Sequence, residues 1–492
     1  MSTIKKIVKN SIFGVVSEAI SGVLLFVAFL LAARYLGAAR FGVFSYILAL
    51  VGVFQLIADF GLTNIVVREI AKTPDNASRV MGAIKPLAWL FSLLTLAIII
   101  LIGFLFAKSN SELWATSFMG VAVLATYHSV LYGSVCRAFE EMGYNAAGNV
   151  SHKILLLALI VAATQADLGL VGLASAYMVA NWAQWMFFHL IVRTRYFRVK
   201  WQADWRYCTY LLREAFPVGA AMVLRRLTLH LDTLLLTVFS TSIAAGLFNA
   251  AYKIVQMMDM IPFTLSIPLF PPLSRLAEES HNKMFAALNH ALRIFFLMAI
   301  PLACWLWLCA PFVLSWTFGA DYADAVHILK ILALAVVFLF PTSLFIYAFS
   351  AAGQQKLYTL SAAICLVTNA IFDLALIPAY GATGAAIATL SAEIMFFLGG
   401  AFLLRRLGAR VPYLELFGKP LAATALAAVI LAWGIQDQNI VTVAAFTMVY
   451  WAVYLMIVVV LRALHRDEIV LLVNAIRVRD KSVALPEAGV KR

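Results

Sequence analysis

The sequence predicts an all-α integral membrane protein of about fourteen transmembrane helices, built as two parallel six-helix repeats and a C-terminal helix pair. Three observations carry that expectation. Of 492 residues, 64% are hydrophobic and 12% charged, and apolar runs near the ~20 residues needed to cross a bilayer recur from end to end. The block Gly169-Leu-Val-Gly172-Leu-Ala174-Ser-Ala176 returns as Gly381-Ala-Thr-Gly384-Ala-Ala386-Ile-Ala388, opening a span each time. Basic residues gather in alternate loops, the usual bias of helical membrane proteins, and no segment alternates as a barrel strand would.

The chain begins with Lys5, Lys6 and Lys9 ahead of an apolar run too long for a signal-peptide core, so the first helix is read as uncleaved. Spans are expected at about 11–36, 42–65, 80–106, 113–138, 150–166, 169–193, 213–239, 244–272, 284–308, 326–351, 357–378, 381–404, 416–435 and 440–462. An even number puts both termini on one side. With that side cytoplasmic, most of the 37 Lys and Arg fall in inner loops and the tail, which accounts for the net charge of +13 without nucleic acid. The basic run Arg193 to Arg213 becomes an inner linker, suited to lie on anionic lipid headgroups.

Gly42 and Phe44 match Gly246 and Phe248, and Phe91 matches Phe295, at a constant offset. Because the offset covers six helices, the two halves share one orientation. The expected organisation is an N-terminal bundle over 1–195, a basic linker over 196–212, a second bundle over 213–406, two additional helices over 407–463 and a tail over 464–492. Close helix packing is the simplest use of the Gly-x-x-Gly blocks. Pro86, Pro217, Pro262, Pro268 and Pro301 permit kinks. The five cysteines show no Cys-x-x-Cys pair and read as core packing.

The segments Leu36-Gly-Ala-Ala-Arg-Phe-Gly42-Val-Phe-Ser-Tyr46, Asp59-Phe-Gly61-Leu62, Val67-Arg68-Glu69 and Tyr380-Gly-Ala-Thr-Gly-Ala-Ala-Ile-Ala388 resemble the polysaccharide transport family, the flippases of O-antigen and capsule repeat units. The resemblance follows the whole chain in span order. It implies the multidrug and oligosaccharidyl-lipid exporter superfamily, whose two six-helix bundles surround a central cavity and work by alternating access. It also implies the substrate, an oligosaccharide on undecaprenyl pyrophosphate, a bacterial inner-membrane location, and a polysaccharide polymerase or export complex as partner.

A carrier diphosphate cannot cross hydrocarbon unaided, so a flippase needs buried cations, and arginine's planar fork suits phosphate. Arg225 and Arg226 sit mid-span in Leu224 to Leu236 with His230 and Asp232; their repeat counterparts, Ser21 and Gly22, are uncharged. Charge there costs roughly 2.5 to 3.5 kcal/mol per residue on insertion scales, so it asks for a counter-ion or an anionic ligand. Lys253, Arg293 and Lys85 are the other intramembrane cations and candidate substrate contacts. Ion pairing competes with that reading, since Glu18, Asp59, Asp232, Asp259, Asp373 and Glu393 also lie within spans. Asp59, Arg68 and Glu69 read as a gate or structural clamp, Asp232 as a coupling or gating group. Glu18, a lone carboxylate in the first span, reads as a proton or sodium coupling site or as a hydrogen-bonded structural residue.

No Walker loop, His-Glu-x-x-His or nucleophile elbow occurs, and neither a cofactor nor a metal site is expected. The expected function is a secondary-type flippase rather than an enzyme. Its rivals are a cation-coupled multidrug exporter, whose cavity would be lined with acids and aromatics, and a membrane glycosyltransferase or polymerase, which would need a larger outer loop.

Overall fold

The computed structural model describes residues 3–199, 205–435 and 439–461; within these, the side chains of 3–13, 15, 56–57, 205, 216–218, 220–226, 228 and 413–414 lie outside the described set. Every regular element among the described residues is helical. In order they are α1 (Thr3–Asp59), α2 (Leu62–Lys72), α3 (Ala77–Phe106), α4 (Asn110–Ala138), α5 (Met142–Gln165), α6 (Gly169–Ile191), α7 (Trp205–Phe239), α8 (Ser242–Ser266), α9 (Phe270–Glu279), α10 (His281–Thr317), α11 (Val326–Thr342), α12 (Phe345–Ala351), α13 (Gln355–Arg406), α14 (Tyr413–Gly434) and α15 (Ile440–Val460).

Among the described residues, ten helices are long and apolar enough to cross a membrane. To these α6 adds a 23-residue span, and α7 adds another that ends in the apolar stretch Leu229–Phe239. Two of the ten are double. α1 turns at Gly37, φ 68°, and α13 turns at Gly381, φ 53°, left-handed conformations that glycine adopts without steric cost. Each long helix is therefore two spans, and among the described residues the expected fourteen are accounted for.

The repeat shows in the backbone. Gly169 and Gly381, equivalent positions in the two halves, both take positive φ, 61° and 53°. Three residues on, a Cβ on Gly172 would meet Leu168 Cβ at 2.2 Å and one on Gly384 would meet the Leu376 carbonyl oxygen at 2.5 Å. The first glycine makes the turn and the second lets the new helix pack on what precedes it, so the block serves packing.

Two short helices differ from expectation. The second span ends at Asp59, where Phe60 and Gly61 have φ of 39° and 79°, and α2 follows as a separate amphipathic helix. It buries Leu62, Ile65, Val66 and Ile70 against Met81, Ile84, Leu131 and Val135 of α3 and α4. Its outer face carries Arg68, Glu69 and Lys72. Likewise α9 is set off from α8 by a 3-10 turn, Ile267–Leu269.

The described residues form two compact units, one drawn from 3–257, 313–332 and 362–395, the other from 258–312, 333–361 and 396–461. In the first, α1 packs on α5 and α7, and α4 packs on α3 and α6. In the second, Phe296 meets Phe417 at 4.2 Å between ring centroids and Phe345 stacks on Phe397 at 6.0 Å. Here α14 and α15 pair as a hairpin. The five cysteines are free thiols, and Cys208 Sγ donates to the Ala83 carbonyl at 3.1 Å.

Candidate functional site

The first unit holds a cavity of about 280 Å³, lined by α1, α4, α5, α6, α7 and α8. Its polar lining comprises Lys153 and Lys253, His152 and His230, and the amides and hydroxyls of Gln55, Asn181, Thr233, Asn249, Tyr252 and Gln256; no carboxylate is among the described lining residues. The apolar share comes from Leu25, Phe29, Leu48 and Met119. Two ammonium groups within an apolar bundle favour an anion, and the amides and hydroxyls suit a polyhydroxylated ligand.

Each lysine is set by its helix. Lys253 Nζ donates to Gln256 Oε1 at 2.9 Å, one turn on, and lies 4.4 Å from the Phe29 ring centre, so its charge is held over an aromatic face. Lys153 has Glu18 of α1 as a charged neighbour. Asn249 Nδ2 donates to Thr233 Oγ1 at 3.1 Å and to the Ala245 carbonyl at 2.8 Å, joining α7 to α8. Ser45 Oγ, Tyr177 Oη and His152 Nε2 are buried lining atoms that have no hydrogen-bond partner among the described residues. Burying such atoms unpartnered is costly, which marks them as groups that a polar ligand would satisfy.

The second half of α1 carries the lining from Ser45 to Gln55 and makes a close helix contact on either side of it. At one end it crosses α8. A Cβ on Gly42 would lie 1.7 Å from the Ser242 carbonyl oxygen, and one on Gly246 would lie 1.9 Å from that of Ala38. These are the glycines paired by the sequence repeat. Nearby, the Arg34 guanidinium donates to the carbonyls of Trp316 and Thr317, and Tyr322 Oη donates to the Ala33 carbonyl at 2.9 Å. At the other end Gly61 meets α7, where a Cβ on Gly219 would lie 2.5 Å from the Phe60 carbonyl oxygen. Arg68 Nη2 donates to Glu214 Oε2 at 2.8 Å across that junction, and its Nε donates to Glu69 Oε1 at 3.1 Å.

A separate acidic centre lies in the same unit. Asp232 of α7 is buried and accepts from Asn369 Nδ2 at 2.9 Å and from Thr389 Oγ1 at 3.2 Å, on the two halves of α13. Asp373, 0% exposed, lies against it, and neither Asp373 oxygen nor Asn369 Oδ1 accepts a hydrogen bond from a donor among the described residues. The two buried carboxyls thus lie in contact, with polar partners on both halves of α13.

The expected site residues therefore separate. Lys253 lines the cavity. Arg225 and Arg226 are on α7, but their side chains lie outside the described residues. Lys85 is half-buried on α3, with His128 and His189 as neighbours, and is not part of the lining. Arg293 belongs to the second unit. Asp59 Oδ1 accepts from the Thr63 amide at 3.1 Å and from the Thr63 hydroxyl, which caps the start of α2. Arg68 and Glu69 form the pairs at the junction with α7, and Glu18 is exposed near Lys153. Sequence reasoning missed Lys153. It falls one turn inside the fifth span, at the edge where inner-loop cations are counted, and the adjoining His152 was its one signal.

Comparisons with known proteins agree with this architecture. The model of the polysaccharide biosynthesis protein family matches residues 7–277, and that of the lipid II flippase MurJ matches 145–461. Membrane protein MJ1068 of Methanocaldococcus jannaschii is 27% identical over 183 residues, 36% of each chain. The chain thus spans about a third of that curated relative, and 46% of a second, MJ1375. A putative O-antigen transporter of Shigella flexneri is 23% identical over 77% of this chain and 93% of its own. Among solved structures, the lipid II flippase MurJ in an inward closed conformation superposes with a TM-score of 0.78 at 15% identity, covering 92% of this chain and 98% of that one. An inward-facing multidrug transporter of the MATE family superposes at 0.64 and 16% identity, covering 79% and 95%. The two structures share the fold, and since each family model covers more than half of the residues, the chain belongs to the membrane family that the polysaccharide biosynthesis and lipid II flippase models together describe.

Proposed function

We propose that this chain is a flippase that carries an undecaprenyl-pyrophosphate-linked oligosaccharide across the bacterial inner membrane by alternating access. The observation that carries the reading is the cavity: two lysines and a ring of amides and hydroxyls, with no carboxylate among the described lining residues. Lys153 and Lys253 attract the diphosphate, the unpartnered Ser45, Tyr177 and His152 atoms hydrogen-bond the first sugars, and the polyprenyl tail stays in the bilayer. A cavity for cationic drugs would carry acids where this one carries lysines. The connections between described helices are short, which suits a transporter better than a glycosyltransferase or polymerase. Both termini are cytoplasmic in this reading, and a polysaccharide polymerase or export complex receives the product.

The transporter is of the secondary type, coupled through protons or sodium. Coupling uses the Asp232–Asp373 pair, since Glu18 is exposed and stands beside Lys153. Gain or loss of a cation there alters the join between α7 and both halves of α13, the elements that carry the pair.

The test is a Lys153→Ala/Lys253→Ala variant in a cell dependent on this gene, at matched membrane levels. Each charge-assisted contact to a phosphate contributes about 1.5–3 kcal/mol, so losing both should lower surface polysaccharide about a hundredfold or more and leave the lipid-linked oligosaccharide inside. Undiminished export would refute the assignment.

A further inference from the structure

At its C-terminal end α6 loosens into a π turn, Val192–Tyr196, closed by the Phe197 amide donating to the Val192 carbonyl at 3.0 Å. The wider turn and the extended residues after it bring Arg193 and Arg198 to one pocket of about 230 Å³, with His189 and Tyr132 on its polar side and Phe197 on its apolar side. The walls are held in place. Ser78 Oγ donates to the Arg198 carbonyl at 3.3 Å, and Tyr196 stacks on Phe139 with 4.7 Å between ring centres.

Among the described lining residues the charge in this pocket is of one sign. Among the described residues neither Arg193 nor Arg198 has an ion pair. The carboxylate of Glu141 accepts from the Tyr196 hydroxyl at 2.5 Å. Lys85 and Arg193 are the charged neighbours of His189, whose buried Nδ1 has no hydrogen-bond partner among the described residues. Two guanidinium forks, each able to donate two parallel hydrogen bonds, with an imidazole between α4 and the turn, match a phosphoryl group. At about 230 Å³ the pocket has room for a headgroup phosphate, and Phe197 gives it a greasy flank. Basic pockets between membrane helices with this make-up take lipid headgroups.

We propose that this pocket is a phosphoryl-binding site, separate from the transport cavity, that takes the headgroup phosphate of an anionic membrane lipid. A free phosphate would satisfy the same groups, so the two sources are distinguished by experiment. The site holds the end of α6 and the segment after it against anionic lipid, and it stands whether or not the chain transports a glycan.

The purified full-length protein, stripped of lipid in detergent, is titrated with phosphatidylglycerol or phosphatidylcholine and the bound lipid is read by native mass spectrometry. Phosphatidylglycerol should bind at least about tenfold more tightly than phosphatidylcholine, and R193A/R198A should abolish that preference while R195A, an exposed neighbour outside the pocket, should not. The R193K/R198K variant keeps the charge but loses the forks and should bind about tenfold more weakly than the parent. Millimolar inorganic phosphate that displaces the lipid in the parent, and not in R193A/R198A, confirms the phosphoryl site; phosphate that binds there while phosphatidylglycerol does not assigns the site to the free ion and overturns the lipid source. Equal retention of both lipids with no effect of phosphate, or equal losses from R195A and R193A/R198A, overturns the site. If R193A/R198A does not fold, the lysine variant and phosphate competition on the parent decide.

Discussion

Asp373 is wholly buried against Asp232, and the hydrogen bonds that the pair receives come from Asn369 and Thr389. Replacing Asp373 with Asn leaves the volume unchanged and removes the second carboxylate. Transport by the Asp373→Asn variant should lose its dependence on the proton or sodium gradient in everted vesicles, whereas the parent keeps it; an unaltered gradient response would exclude coupling at this pair. Asp59, by contrast, acts on stability. Its carboxylate caps α2 through Thr63, and Asp59→Ala should destabilise the protein by about 1–2 kcal/mol, with Asp59→Asn costing less, read as thermal unfolding in detergent. Both aspartates were visible in the sequence as charges inside spans. Their roles were not, because Asn369 and Thr389 reach Asp232 only through the fold, whereas the Asp59 cap is local and Thr63 lies four residues away.

Among the elements, α10 shows how the C-terminal hairpin is used. Pro301 has no amide hydrogen to donate, so the Leu297 carbonyl, one turn back, loses its helical partner. Tyr454 Oη donates to that carbonyl at 2.7 Å, Tyr450 Oη donates to the Pro301 carbonyl at 2.7 Å, and Trp305 Nε1 donates to Thr447 Oγ1 at 3.1 Å. Three side chain contacts thus dock α15 on the stretch of α10 around Pro301, and two of them go to its backbone. Tyr454→Phe leaves the Leu297 oxygen buried without a partner and should cost about 1–3 kcal/mol, more than Trp305→Phe, which removes a side chain pair on an intact ladder. Comparing the two unfolding midpoints checks it, and an equal or smaller loss for Tyr454→Phe would show that the carbonyl freed by Pro301 is not what the tyrosine stabilises. The proline and the extra helix pair were both legible in the sequence. The link between them was not, since tyrosine in an apolar helix reads equally well as an interfacial anchor. Helices α2 and α9 were hidden for another reason: each is short and amphipathic and follows directly on a long apolar run, so the run masks where one helix stops and the next begins.

For the molecule as a whole, the repeat is what made the fold readable, because Gly169 and Gly381 perform one backbone task twice and leave the same local pattern. The repeat also bears on the helix crossing beside the cavity lining. Gly42 and Gly246 are equivalent positions, and they touch: Gly42 approaches the Ser242 carbonyl while Gly246 approaches that of Ala38. The crossing therefore joins equivalent positions of α1 and α8. Being glycine on both sides, the crossing brings backbone against backbone. A leucine at Gly246 cannot share space with α1 and should hold the crossing apart. Ser45, one turn inside Gly42 with a buried and unpartnered hydroxyl, is the reporter. As Ser45→Cys it should be protected from a membrane-impermeant maleimide in the parent and become reactive from the Gly42 side when Gly246→Leu is added, with glycan transport falling about tenfold or more as the closed state is lost. Labelling that stays as slow as in the parent would mean that the crossing is a fixed joint, and alternating access would then have to open elsewhere.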